Sequence, residues 1–483
     1  MRRLTALLFV ASMVGVASVA SAQESTAGAP PAGGQANPAA PSLAGQANPA
    51  VPESATQAPP EAGQAAFGGR FTSVSGDPAR FERYRDARTG PTFDQFQYER
   101  IRENWQFGAS LQHAGYRDQR YVAGFNRYGK LKASFVWDQI PLFYSKDTRT
   151  PFTSPSPGVF RLNDALQSAV QSAAPTTVFG TDLRPFDLRA QRNIADARLD
   201  YQATRSLDLR WSFRSTGQTG VQPWGASFGQ ANAVELAAPK DRRTNDLNAT
   251  AEWSNDRAMA KVAYDGSWFN NHVDRLIWDS PLSISDAAGL PSQGQMAAWP
   301  DNTAQTVSAA GALTLPARTR AFGYVSIGSW LQNAPLLPFT INSAIAPLPL
   351  SRPTADAEAR IVATNARLTS RPVPRLWLSG QFKTYNYDNR TPRFLEGQYV
   401  GLDSSVVNST TGGSEPFGYD RDFIDLAASY SPLTFAAVNV GYGREQVSRT
   451  FRLFETTTEQ TARASLDSTG LTWGSMRLLY EHG

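Results

Sequence analysis

Residues 194–203 read IADARLDYQA and residues 207–214 read LDLRWSFR. In the first stretch Ala195, Ala197, Leu199, Tyr201 and Ala203 alternate with Asp196, Arg198, Asp200 and Gln202. In the second, Leu207, Leu209, Trp211 and Phe213 alternate with Asp208, Arg210, Ser212 and Arg214. Alternation of period two puts every apolar side chain of a strand on one face and every polar one on the other. Arg205 and Ser206 lie between the segments, a spacing that suits a tight hairpin. Charges of both signs on one face and bulky apolar groups on the other fit a wall between water and lipid. Asp196, Arg198, Asp200, Asp208, Arg210 and Arg214 are then candidate lumen-facing contacts for a partner.

The pattern recurs along the chain. Leu247, Ala249, Ala251 and Trp253 form one apolar face, and Ala258, Ala260, Val262, Tyr264 and Trp268 the next, with Asn255 and Asp256 as the turn. Val307 to Leu315 leads through Pro316 and Ala317 to Phe322 and Tyr324, and Ile424 to Tyr430 leads through Ser431 and Pro432 to Val438, Val440 and Tyr442. The reading gives about fifteen candidate strands. Longer polar insertions are expected near 139–193, 217–244, 269–304, 332–356 and 388–420. Short turns at one end and long loops at the other are the asymmetry of an outer-membrane barrel. The expected fold is therefore all-β, a large antiparallel transmembrane β-barrel. Trp211, Phe213, Trp253, Trp268, Trp330, Tyr385, Tyr387 and Tyr430 fall near strand ends and are expected in the aromatic girdles.

The N-terminus sets the compartment. Arg2 and Arg3, an apolar run from Leu4 to Ala20, and Ala20-Ser21-Ala22 make a signal peptide over residues 1–22, with an uncleaved anchor as the alternative. Residues 23–66 are dominated by Ala, Pro, Gly and Gln, and GQANPA occurs at 34–39 and again at 45–50. Such a segment buries too little apolar surface to offset its ordering entropy, so it is expected to be a disordered periplasmic spacer. The alternative is a docking arm. Residues 67–483 are assigned to the barrel. Past the signal no apolar run reaches the length of a spanning helix, and 32 Pro and 37 Gly argue against long helices. A mean hydropathy of −0.37 suits strands that show lipid only every second residue.

Chemistry is sparse. The 46 Lys and Arg nearly balance 42 Asp and Glu and are scattered, which gives no nucleic-acid footprint. With no Cys, the chain holds no disulfide, no iron–sulfur centre and no covalent c-type haem. His113, His272 and His482 share no ligand spacing, and no nucleophile elbow, phosphate loop or zinc-protease motif occurs. The expectation is a protein without a catalytic centre, cofactor or metal of its own. A mixed-sign inner wall either hydrates a channel, as in a porin, or holds a polar protein by complementary contacts.

Several stretches resemble the MtrB/PioB family of barrels associated with decahaem cytochromes. They include Gly115–Tyr121, Gly129–Lys132, Phe135–Pro141 and Tyr144–Thr150. Further on come Arg243–Asp246, Trp299–Asn302, Leu336–Asn342 and Asn389–Pro392. The resemblance spans about residues 80–483 and lies in the ordered set rather than in any one motif. It implies an outer-membrane sheath around a multihaem c-type cytochrome, with electrons passing between periplasm and exterior, in some cases to an extracellular cytochrome. Haem would be carried by that partner and not by the barrel. The Cys-x-x-Cys found near the mature N-terminus of some members is absent here. Family barrels are also longer, and the chain ends on a strand at Tyr480–Gly483. The expectation is that these residues form an incomplete cylinder, cut short at the C-terminus.

Overall fold

A computed structural model describes residues 61–172, 183–228, 233–471 and 474–483. The expected signal peptide and the spacer as far as residue 60 lie outside the described residues.

In chain order the elements begin with β1 (Glu61–Arg70), α1 (Pro78–Glu82), β2 (Gly90–Arg102), β3 (Trp105–Gln112), β4 (Arg120–Arg127) and β5 (Leu131–Thr150). There follow β6 (Thr153–Ser156), β7 (Val159–Arg161), α2 (Asp164–Ser172), β8 (Arg184–Gln202), β9 (Leu207–Ser227), β10 (Ala233–Ser254) and β11 (Ala258–Asn271). Next are β12 (Arg275–Asp279), β13 (Gln293–Ala297), β14 (Asn302–Leu315), β15 (Thr319–Gln332), β16 (Ala357–Ser370) and β17 (Leu376–Asn389). The chain continues through β18 (Phe394–Gly401), β19 (Ser405–Ser414), β20 (Tyr419–Leu433), β21 (Ala436–Arg449), β22 (Thr456–Leu471) and β23 (Gly474–His482).

Setting aside β6, β7, β12, β13, β18 and β19, the strands form one 17-stranded sheet in which each pairs with the next along the chain. Every ladder in it is antiparallel, the meander of an outer-membrane barrel. Among the described residues no ladder joins β1 to β23. Turns at 103–104, 128–130, 203–206, 255–257, 316–318, 371–375 and 434–435 are short. At the other end the chain makes the insertions 151–183, 272–301, 333–356 and 390–418. No helix among the described residues is long and apolar enough to cross a membrane, so crossing falls to the strands.

Register fixes the faces. Ala251, Val262, Ala309 and Val325 lie in one row across β10, β11, β14 and β15. Val262 is 55% exposed and Val307 53% exposed, on a face that carries the large apolar side chains; this is the lipid face. Trp211, Phe213, Trp253, Trp268 and Tyr430 share it by register. Trp330, Tyr385 and Tyr387, expected in the girdle, stand on the opposite face. Trp330 lies in the row of Ala304, Ser267, Asp246, Arg214 and Asp196.

The structure differs from the sequence expectation in several places. Residues 139–150 and 184–193, expected within an insertion, belong to β5 and β8, whose ladder carries them past the membrane. The wall has 17 strands rather than about fifteen. Residues 61–66, placed in the spacer by composition, are the first part of β1. Glu61, Ala62, Gly63, Gln64, Ala65 and Ala66 show no apolar alternation, and it is the ladder to β2, from Glu61 opposite Arg100 to Arg70 opposite Gly90, that makes them a strand. Tyr98 donates to Glu61 Oε1 at 2.8 Å within that ladder. Residues 217–244, expected as an insertion, mostly belong to the β9–β10 hairpin, whose strands run 21 and 22 residues. A tilted spanning strand needs only about 9–11 residues, so this hairpin projects well beyond the membrane.

Candidate partner-binding wall and its loop module

All six lumen-facing candidates stand on one face of β8 and β9. Asp196 is opposite Arg214, Arg198 opposite Ser212, Asp200 opposite Arg210 and Gln202 opposite Asp208. The Asp196 carboxylate is the fixed point. It accepts from Arg198 Nε at 2.8 Å and from Arg214 Nε at 3.0 Å, and the residue is only 8% exposed. Arg210 reaches the other way, donating to Glu252 Oε2 on β10 at 3.2 Å rather than to Asp200 or Asp208. The same device recurs on this face toward β23, where Arg421 pairs with Glu445 at 2.9 Å and Arg477 with Asp467 at 2.5 Å, and Arg463 pairs with Asp425. Sequence reading did not single out these pairs, although the alternation of β20 to β22 carries them.

Replacing Asp196 with Asn removes the charge that holds two guanidinium groups together. Both arginines are more than half exposed, at 61% and 53%, so water offsets much of the loss. The expected cost is about 1 kcal/mol, read as a shift in the urea midpoint of the detergent-folded barrel.

Along β9 and β10 this face changes character. Beyond Arg214, Thr216 and Gln218 come Trp224, Ala226 and Phe228, with Leu236 opposite Trp224 and Ala238 opposite Gln222. Ala226, Phe228, Leu236 and Ala238 form a buried cluster with Phe160, Leu162 and Leu166 of one insertion and Val273, Leu276 and Trp278 of another. Residues 152–166 of one insertion and 273–278 of the other thus pack onto the inner face of the projecting hairpin. The two insertions share a four-stranded sheet in the order β13, β12, β7, β6. Gly294 permits the packing of Trp278, since a Cβ there would meet its indole at 2.5 Å.

Buried carboxylates bind the insertions together. Asp279 accepts from Arg161 Nη1 at 2.7 Å, Leu162 N at 2.8 Å and Gln293 Nε2 at 2.8 Å. Asp403, in the β18–β19 turn, accepts from Gln295 N at 3.0 Å, Thr340 Oγ1 at 2.7 Å and Ile341 N at 3.2 Å. Asn342 donates to the Asp403 carbonyl at 2.8 Å and to that of Ala287 at 3.1 Å. Four insertions are therefore linked through polar side chains. Two stretches that carry the family resemblance supply Thr340 and Asn342, and Asp301, which accepts from Asn271 N at 2.6 Å.

Asp286 joins 272–301 to 333–356, accepting from Ser292 N and Oγ at 2.9 and 2.6 Å and from Ser343 N and Oγ at 2.8 and 2.7 Å. Partial burial opposes its charge, but the serine hydrogen bonds outweigh burial and hold its pKa down to about 2. A depressed folded pKa stabilises this tie fully above the ordinary value of 3.8 and loses that contribution as pH falls through about 2. Proteolysis of the 333–356 insertion by an acid-active protease is expected to accelerate between pH 4 and pH 2 in the native chain, and to do so less in Asp286→Asn.

An aromatic group occupies the inner face nearer the other insertions. Tyr387 lies 6.0 Å from Trp330 and 5.8 Å from Tyr419 between ring centroids, and Tyr385 lies 5.6 Å from Tyr419. These rings were expected at the lipid boundary because nearness to a strand end was the only signal used; register assigns the face. Among the described residues no group of three or more His, Cys, Asp or Glu could hold a metal. His113 faces Asp118 at 3.0 Å and His272 faces Asp241 at 3.2 Å, as isolated pairs.

A meander of amphipathic strands with lipid-facing apolar rows and a charged inner face defines an outer-membrane β-barrel protein. The family model for outer membrane beta-barrel porins of the MtrB/PioB type matches residues 74–483, and the chain belongs to that family. It is 23% identical over 345 residues to outer membrane protein MtrB of Shewanella baltica (strain OS185), across 71% of this chain and 48% of the relative. The chain spans about half the length of that curated relative. Solved structures similar to it include a mutant ferric enterobactin receptor of Pseudomonas aeruginosa, at 10% identity and TM-score 0.35, covering 80% of this chain and 52% of that one. The outer membrane channel DcaP of Acinetobacter baumannii is similar at 10% identity and TM-score 0.28, covering 87% and 94%. The barrel assignment rests on the strand ladder and the family match, not on likenesses of that strength.

Proposed function

We propose that the inner wall sheaths a multihaem c-type cytochrome, so that a haem chain carried by the partner conducts electrons across the outer membrane. The observation that carries this reading is the set of paired charges on the inner face, from Asp196 with Arg198 and Arg214 to Asp467 with Arg477. Fixed donors and acceptors of both signs give register and specificity to a folded polar surface more than they speed a diffusing solute. The barrel insulates the cofactor chain from lipid and sets its position; it takes no part in bond making. An extracellular cytochrome is the second partner, meeting the interlinked insertions.

The test is purification of the tagged barrel from a native host, followed by haem staining. A stoichiometric haem-bearing band, and reduction of a dye inside vesicles by an external donor through the complex, support the sheath. Stable ion conductance in planar bilayers by the chain alone, with no haem band, supports a porin instead.

A further inference from the structure

Beyond the paired charges, the inner face holds a group of cations that the ladders leave unmatched. Arg192 of β8, Gln218 of β9 and Arg242 of β10 form one row, and Ala190, Gly220 and Lys240 form the next. Gln218 Oε1 accepts from Arg242 Nε at 2.9 Å and Nη2 at 2.6 Å, and the guanidinium stacks 4.1 Å over the Trp299 ring. Arg242 is therefore held in place without a counter-charge. Lys240 has only small neighbours in its row: Gly220 takes φ +107°, and a Cβ there would meet the Arg189 carbonyl at 2.4 Å.

Among the described residues no carboxylate pairs with Arg192, Lys240 or Arg242. Of the inner-face carboxylates nearest in register, Asp196 is held by Arg198 and Arg214, Asp246 accepts from Ser267 at 2.7 Å, and Asp138 stands opposite Arg120 and pairs with none of the three cations. Lys240 and Arg242 are half-buried. Like charges gathered in a partly desolvated place repel and lose hydration unless an anion joins them. A cavity of about 70 Å³ has Lys240, Arg242, Gln222 and Asn271 on its polar side and apolar groups including Trp224, Val273 and Met296 on the other; Arg192, in the row of Arg242, stands outside its wall. That volume takes a few water molecules or one small oxyanion, not a nucleotide.

We propose that Arg192, Lys240 and Arg242 form a binding site for a small phosphate-like dianion on the inner wall, beneath the loop module. The Arg192 guanidinium, the N–H groups of Arg242 not engaged by Gln218 and one ammonium suit an oxyanion with several acceptor atoms. The site does not depend on the cytochrome reading.

The experiment is calorimetric titration of inorganic phosphate into the full chain in detergent at constant ionic strength, with acetate as a second titrant. Saturable phosphate binding is expected, weakened about tenfold or more by Lys240→Gln and by Arg192→Gln. Lys261→Gln, which removes a cation from the same face of β11, is expected to leave it unchanged. No saturable binding by the wild-type chain overturns the site. Equal weakening by Lys261→Gln reduces it to the general field of the wall and also overturns it, as does acetate binding as tightly as phosphate. Circular dichroism of each variant verifies that the sheet is intact.

Discussion

Asp279→Ala is expected to release the loop module while leaving the membrane wall folded. The carboxylate is 7% exposed and takes hydrogen bonds from Arg161, the Leu162 amide and Gln293. Its removal leaves the buried Leu162 N–H, the part-buried Gln293 amide and the Arg161 guanidinium without their acceptor. Arg161 is 40% exposed and water offsets much of its loss, but the buried Leu162 amide is left without an acceptor, so the expected cost is about 1–3 kcal/mol. The cluster around Trp278 and Phe160 rests on the strands that Asp279 fixes, so it is expected to open with them. Limited proteolysis should then cut within 151–183 and 272–301 at rates well above those of the parent chain. Heat-dependent gel migration, which reports the barrel, should not change. Parent-like cleavage rates would mean that the module is held by its apolar cluster alone.

The second large effect is Val262→Arg. Val262 lies between Ala251 and Ala309 on the lipid face and is 55% exposed. A guanidinium there costs about 2–4 kcal/mol at mid-bilayer depth, read from urea titrations of folding into lipid vesicles. Thr306→Arg places the same group on the inner face opposite Asp265, where it meets water and a carboxylate, and is expected to change stability little. A similar penalty for both substitutions would contradict the assignment of faces.

The wall was legible in the sequence wherever one face stayed apolar and the other polar over a whole strand. The run from Asp196 to Arg214 shows both faces, and register reproduces them residue by residue. The reading failed where a face changed its environment. On β9 the inner face passes from Arg214 to Trp224 and Phe228 as water gives way to the loop module, so alternation fades and the projecting hairpin looks like a loop. Trp330, Tyr385 and Tyr387 were misplaced because an aromatic near a strand end suits a lipid girdle and a lumenal cluster equally well. The binding carboxylates were invisible for another reason: the Leu162 amide and Asp279 are 117 residues apart, and no local pattern marks two insertions that fold together. Nor does residue type reveal that Arg210 pairs with Glu252 instead of its nearer acidic neighbours.

Because the chain contains no cysteine, single cysteines report without background. Cysteines at 198, 200, 210 and 212, and at 197, 199 and 211, are to be labelled with a membrane-impermeant maleimide. Labelling is done in vesicles holding the barrel alone and in vesicles holding the haem-bearing complex. The account predicts that the first set labels in the barrel alone and is shielded in the complex, while the second set stays unlabelled in both. Equal labelling of the two sets would contradict the wall, and full labelling of the first set in the complex would contradict the sheath.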